Sequence, residues 1–204
     1  MGRVSDAKQR LMAAVLELIW TGSYGQTTID LICEQAGVKK GSFYYFFDSK
    51  ADLAVAALDA DWEGRRTALD ALFSPVVPPL ERLRNFCNYA YERQSALKKQ
   101  HGCVLGCPLF TLGAEVCLQE SKLRARIQAT LDHYRSYLES AIRDAQANHL
   151  THAPDAAKAA RMVLAYYEGL LTQARIQNNV ELLRELTGGV FAMLGANAAE
   201  TAAA

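Results

Sequence analysis

The chain has 204 residues, half of them hydrophobic, which is enough for one large domain or a small one joined to a larger, with a substantial core. Lys plus Arg and Asp plus Glu are equal at 22 each, and residues 1–60 carry six basic against seven acidic side chains. No bulk charge therefore points to a polyanion, which excludes a non-specific DNA-packaging protein, because such binding rests on many phosphate contacts.

The N-terminus lacks the long apolar run and cleavage site of a signal peptide, and no run approaches the ~18 apolar residues of a membrane span. Five cysteines, an odd and scattered set, fit a reduced cytoplasmic chain.

In chain order, Leu11, Val15, Leu18 and Ile19 follow helical spacing and predict a first helix over 5–21, ended by the glycines of "TGSYG". Thr27, three before Asp30, opens a short helix that stops at Gly37. After "AGV" a second short helix starts at Lys39 or Lys40, which makes a helix-turn-helix over 28–47. On it Phe43, Phe46 and Phe47 share the core side with Val38, while Lys40, Gly41, Tyr44 and Tyr45 point outward and Ser42 flanks them.

Lysines and tyrosine hydroxyls suit phosphate oxygens, and Gly41 lets backbone approach a groove wall. The helix N-termini at Thr28 and Lys50 add donors and a favourable dipole. Ser49, three before Asp52, opens a helix reaching Phe73, and "SPVVPP" then marks the domain boundary.

Longer amphipathic helices follow over 79–99, 108–119, 121–148, 154–177 and 180–194, with Pro108 and Pro154 in first turns. The tail "AETAAA" is expected to fray. The fold class is all-α, with a helix-turn-helix DNA-binding domain over 5–65 and a larger helical domain over 75–197, to which the family resemblance given below assigns effector binding and dimerisation.

Val163, Leu164, Tyr167, Leu170 and Leu171 are too many for one intrachain stripe. The same holds for Leu182, Leu183, Leu186, Val190 and Phe191 in the next helix. The excess predicts a homodimer interface, with Leu170, Leu182, Leu186 and Val190 in it. Aromatics Phe86, Tyr89, Phe110, Tyr134, Tyr137 and Tyr166 read as core at helical spacing, and the family resemblance given below implies that they also line an effector cavity. Cys107, beside them and just before Pro108, is either a small buried hydrophobe, the favoured reading, or a thiol activated at a helix start. His101, Cys103 and Cys107 would begin a metal site, but no fourth ligand follows at a recognised spacing, so no metal or cofactor is expected.

The stretch "TTIDLICEQAGVKKGSFYYFFDSKADLAVAAL", with the helix before it, resembles the N-terminal domain of the TetR family of transcriptional regulators. The resemblance implies a major-groove helix, a four-helix dimer interface and a C-terminal effector domain. It also implies roles for individual residues. Thr28 is a phosphate contact, and Lys39, Lys40 and Ser42 meet bases or nearby phosphates. Tyr44 and Tyr45 take aromatic backbone-contact positions, and Lys50 is the phosphate-binding lysine. Lys39 departs from a common serine, and Asp30 lies where a basic residue is frequent, which sets Asp30 against a basic contact from that helix.

The expected function is a homodimeric repressor that binds a palindromic operator in double-stranded DNA and is released by a small molecule. The alternatives are a cysteine-based sensor of electrophiles or redox state, and an all-α enzyme. The enzyme is disfavoured because H-E-x-x-H, G-x-S-x-G and phosphate-loop motifs are lacking.

Overall fold

A computed structural model describes residues 2–116 and 120–196. The expected end of the helix at Gln119, together with Cys117 and the "AETAAA" tail, lies outside the described residues. The described chain is all-α. Helices α1 (Gly2–Thr21), α2 (Ile29–Ala36), α3 (Lys40–Phe46) and α4 (Lys50–Leu72) come first. They are followed by α5 (Pro79–His101), α6 (Pro108–Val116), α7 (Ser121–Ala147) and α8 (Ala156–Ile176). A 3-10 segment, Val180–Glu185, leads into α9 (Leu186–Leu194).

The chain divides into two compact units, 1–65 with 108–130 and 66–107 with 131–204. This is not the linear cut expected at "SPVVPP". Helix α4 runs unbroken past Arg65, and the proline segment is a turn inside the second unit. That turn is fastened by Arg82, whose side chain is 4% exposed. Its guanidinium donates to the carbonyls of Val77 (2.7 Å) and Pro75 (3.0 Å) and to the Asp144 carboxylate (2.6 Å).

In the first unit α1 packs on α2, α3 and α6. Leu11, Val15, Ile19, Ile32, Phe43 and Leu53 are fully buried. Each such side chain contributes about 1.5–3 kcal/mol of transfer free energy. Helix α2 is capped by Thr28, whose hydroxyl accepts from Leu31 N–H (3.2 Å). This corrects the expectation for Thr27, which is buried and donates to Ser23 O (2.7 Å). At the other end Gly37 takes φ 62°, a left-handed turn that Arg10 supports by donating to Ala36 O (2.8 Å). The reciprocal cap of α4 is as expected: Asp52 N–H donates to Ser49 Oγ (3.1 Å), which donates to Asp52 Oδ2 (2.6 Å).

In the second unit two boundaries move. Asp155 caps α8, accepting from Lys158 N–H (3.0 Å), so the helix starts at Ala156 and Pro154 stays outside it. The last expected helix splits because Val180, Leu183 and Leu186 recur at every third residue. A 3-10 turn stacks that spacing on one side, and all three are buried; α9 then buries Val190, Phe191 and Leu194.

The same burial takes up most of the residues expected at a dimer interface. Leu186 (0% exposed), Val190 (1%) and Leu170 (7%) are core of their own chain, as are Val163, Leu171, Leu183 and Phe191, while Leu164, Tyr167 and Leu182 are half-exposed. The apolar excess that suggested a partner is absorbed internally, where α5, α8, α9 and the 3-10 segment pack on one another.

Arg82→Met is expected to lower unfolding free energy by about 2 kcal/mol, since it strands two carbonyls and a carboxylate. The value for a fully buried pair is discounted because the Asp144 side chain is 45% exposed. Urea denaturation checks it; an unchanged midpoint would show that the turn does not need the arginine.

Candidate nucleic-acid interface

Helix α3 has seven residues and no side-chain cap, so local preference alone does not hold it. Phe43 does, with no exposed surface, and Phe47 is buried beside it (ring centroids 6.1 Å). Phe46 is only half-buried, as is Val38, so the expected core side is narrower than three rings.

The opposite side is open. Tyr44 is 55% and Tyr45 74% exposed, while Lys39, Lys40 and Gly41 are exposed and Ser42 is half-exposed. The tyrosines stand edge-on to buried or half-buried neighbours, Tyr44 against Phe43 (5.2 Å) and Tyr45 against Phe46 (4.8 Å). Their hydroxyls are thus carried on supported rings. A Cβ on Gly41 would meet no atom within 4 Å, so no packing in the protein demands a glycine there.

Two lysines are less free than the sequence suggested. Lys40 Nζ lies 2.7 Å from Asp30 Oδ1, and that carboxylate raises the lysine's basicity. Lys50 donates to the carbonyls of Tyr24 (2.7 Å) and Thr27 (2.9 Å) and lies 4.0 Å over the Tyr24 ring. Burial lowers its pKa, opposed by Glu115 and Glu120. The ammonium braces the turn between α1 and α2, with one N–H left over. Thr28 is exposed, but its oxygen already serves the cap.

Sequence reasoning missed the far side of this unit. Glu115 on α6 accepts from Tyr24 N–H (2.9 Å) and Gly25 N–H (2.6 Å), and Glu120 accepts from the Tyr24 hydroxyl (3.2 Å). Lys122 pairs with Asp52 (2.7 Å), which, together with the Ser49 hydrogen bond, holds that carboxyl below its usual range. Partners about ninety residues away leave no local periodic signal.

The effector candidates fall apart into groups. In the second unit Phe86 stacks on Tyr167 (4.9 Å, 29°) and meets Phe73 (5.6 Å) and Tyr134 (6.3 Å), and Phe73 meets Tyr137 (5.1 Å). The Tyr167 hydroxyl is pushed well above its ordinary pKa by burial first, then by Glu168, Tyr134 and Cys107, while Arg93 opposes. Tyr137 donates to Asp70 and is raised to about 12, chiefly by burial.

Tyr166 instead lies across Gly189, where a Cβ would come within 2.2 Å of its hydroxyl, and Tyr89 is half-buried. Phe110 belongs to the first unit and is 38% exposed. Tyr167, read from sequence only as an apolar residue of the dimer helix, and Phe73 are the members that reasoning left out.

Among the described residues no group of His, Cys, Asp and Glu is placed to hold a metal ion, and no helix is long and apolar enough to cross a membrane. Cys87 is buried and raised to about 12 by desolvation, and Cys33 is buried and raised for the same reason. Both are expected to resist alkylation at neutral pH in the folded chain, whereas Cys103 is exposed. Mass spectrometry of the alkylated native protein checks this; early adducts on Cys33 or Cys87 would contradict it.

Residues 11–57 match a family model described as bacterial regulatory proteins of the tetR family. Residues 79–189 match one described as the tetracyclin repressor-like C-terminal domain. The transcriptional regulator AcuR of Cereibacter sphaeroides is 32% identical over 187 residues, covering 90% of this chain and 83% of that protein. The transcriptional repressor NemR of Escherichia coli is 25% identical over 188 residues, covering 87% of this chain and 88% of that protein.

A crystal structure described as regulatory protein TetR from Rhodobacter sphaeroides superposes with a TM-score of 0.81 at 29% identity, covering 92% of this chain and 98% of that one. The reduced form of E. coli NemR superposes with a TM-score of 0.80 at 25% identity, covering 95% and 99%. A helix-turn-helix with an open lysine and tyrosine face, a helical C-terminal part and matches over both make this chain a member of the TetR family of DNA-binding transcriptional regulators.

Proposed function

We propose that the protein represses transcription as a homodimer that places two α3 helices in successive major grooves of a palindromic operator. A small molecule bound in the second unit then releases it. The observation that carries this reading is the outward face of α3, where Lys39, Lys40, Tyr44 and Tyr45 are exposed over a fully buried Phe43. Half-sites one turn apart require readers about 34–36 Å apart, and a ligand that favours another spacing lowers affinity. Selection of bound duplexes from a random pool tests it: a palindrome supports the reading, and enrichment of no sequence counts against it.

The dimer face we assign is the side of α8 and α9 that stays uncovered, which replaces the residues buried in the core. On α8, Met162 (49% exposed), Ala165, Gly169, Thr172 and Ile176 (78%) recur at helical spacing without a charge, and α9 adds Gly188 and Ala192. A second copy of this face fits it, because two-fold operators need two-fold readers.

The effector site we assign is the cluster of Phe86, Tyr134, Tyr137 and Tyr167. Its packed rings and the buried Tyr167 hydroxyl suit a small, largely apolar molecule with a polar group, bound without turnover. A second reading, a thiol sensor, draws on Cys107 being among the groups that raise the Tyr167 hydroxyl and on the reduced form specified for the NemR structure. Operator release on alkylation, lost in Cys107→Ser, would favour it.

Tyr44→Phe is expected to weaken operator and random duplex alike by about 1 kcal/mol, with the salt dependence kept. Equal binding by variant and wild type in fluorescence anisotropy would remove Tyr44 from the contact set.

Gly169→Glu combined with Ala192→Glu is expected to give a folded monomer. Carboxylates in an apolar interface raise the dissociation constant by at least about 100-fold. A dimer in sedimentation at micromolar protein would refute the assigned face.

A further inference from the structure

Asp30 and Lys40 form an ion pair on the face assigned to DNA. Asp30 sits in the first turn of α2 and Lys40 is the first residue of α3, with 2.7 Å between Oδ1 and Nζ. Both side chains stay exposed, at 73% and 54%. Exposed pairs of this kind contribute little to folding. The C-terminal end of α2 and the turn after it are already secured by the Gly37 cap and by Arg10. Stability therefore does not account for a carboxylate set against the lysine that opens the helix of the outward tyrosines.

We infer that Asp30 is a specificity-determining residue, which withholds Lys40 from the phosphate backbone and presents it as a fixed donor to base edges in the major groove. An unpaired lysine in this place is drawn to the nearest phosphate and releases its counterion, which strengthens binding to every sequence equally. With Asp30 at 2.7 Å the pair is close to neutral as a unit, and the carboxylate repels an approaching phosphate. Two N–H donors of the ammonium remain, and guanine O6 and N7 are acceptors of the right kind. Asp30 thus acts through Lys40 and exchanges general affinity for discrimination. The inference rests on α3 being the reading helix.

The test uses the full chain, thermal melting as a folding control, and two duplexes. One is of random sequence, and the other is enriched by wild-type protein from a random pool. Asp30→Asn is expected to tighten binding to the random duplex several-fold. It should steepen the slope of log affinity against log salt by about 0.9 per protomer. The preference for the enriched duplex should fall by about tenfold. Adding Lys40→Met to Asp30→Asn is expected to return the random-duplex slope to the wild-type value.

A wild-type slope in Asp30→Asn overturns the inference, since the aspartate then merely caps or ties helices. If Asp30→Asn fails to fold, Lys40→Met alone decides. A slope unchanged with the preference reduced supports the inference, and a flattened slope overturns it because Lys40 is then already on a phosphate. The random-duplex arm needs no operator, so failure to enrich a palindrome tells against the operator reading while the salt slope still judges Asp30.

Discussion

A helix of seven residues does not form by itself in water, because nucleation costs more than so few hydrogen bonds return. The shape of α3 is therefore set by burial of Phe43, and everything assigned to the outward face follows from which way that ring points. Fixing Phe43 inward rotates Tyr44 and Tyr45 outward, brings Lys40 to the Asp30 side, and leaves Gly41 over open space. The division of aromatics into packed phenylalanines and exposed tyrosines is one constraint expressed twice, with Phe46 half-buried between the two sets.

The turn between α1 and α2 obeys a second constraint. Two of its carbonyls face the Lys50 ammonium and two of its N–H groups face the Glu115 carboxylate, so opposite charges hold opposite poles of the Tyr24–Gly25 peptide. Each charge is satisfied by backbone and by the other, which is why a partly buried lysine persists there. The arrangement makes α6 and the start of α7 part of the DNA-reading unit.

The readable part of the sequence was whatever is written within a few residues. The box of Ser49 and Asp52, the helix stop at Gly37 and the outward side of Lys40, Tyr44 and Tyr45 on α3 were found at their places. Choices between equivalent neighbours were not readable. Thr27 and Thr28 are both good caps, and only the buried bond from Thr27 to Ser23 decides between them. Apolar excess on the last helices was visible, but its destination was not, because an interior helix and an interface helix are apolar on the same number of sides. Glu115, Glu120 and Lys122 carried no signal, since each looks like an ordinary surface charge until its partner is known.

The clasp between Glu115 and the turn at Tyr24 spans 91 residues of chain. Protein synthesis adds about 5–20 residues per second, so roughly 5–20 s separate the emergence of the turn from that of its carboxylate partner. Through that interval the N–H groups of Tyr24 and Gly25 have no Glu115 carboxylate to donate to. A nascent chain therefore carries its reading helix well before the unit that steadies it is complete. The unit assigned to DNA is thus completed late in translation, although its short helices are among the first parts to be made.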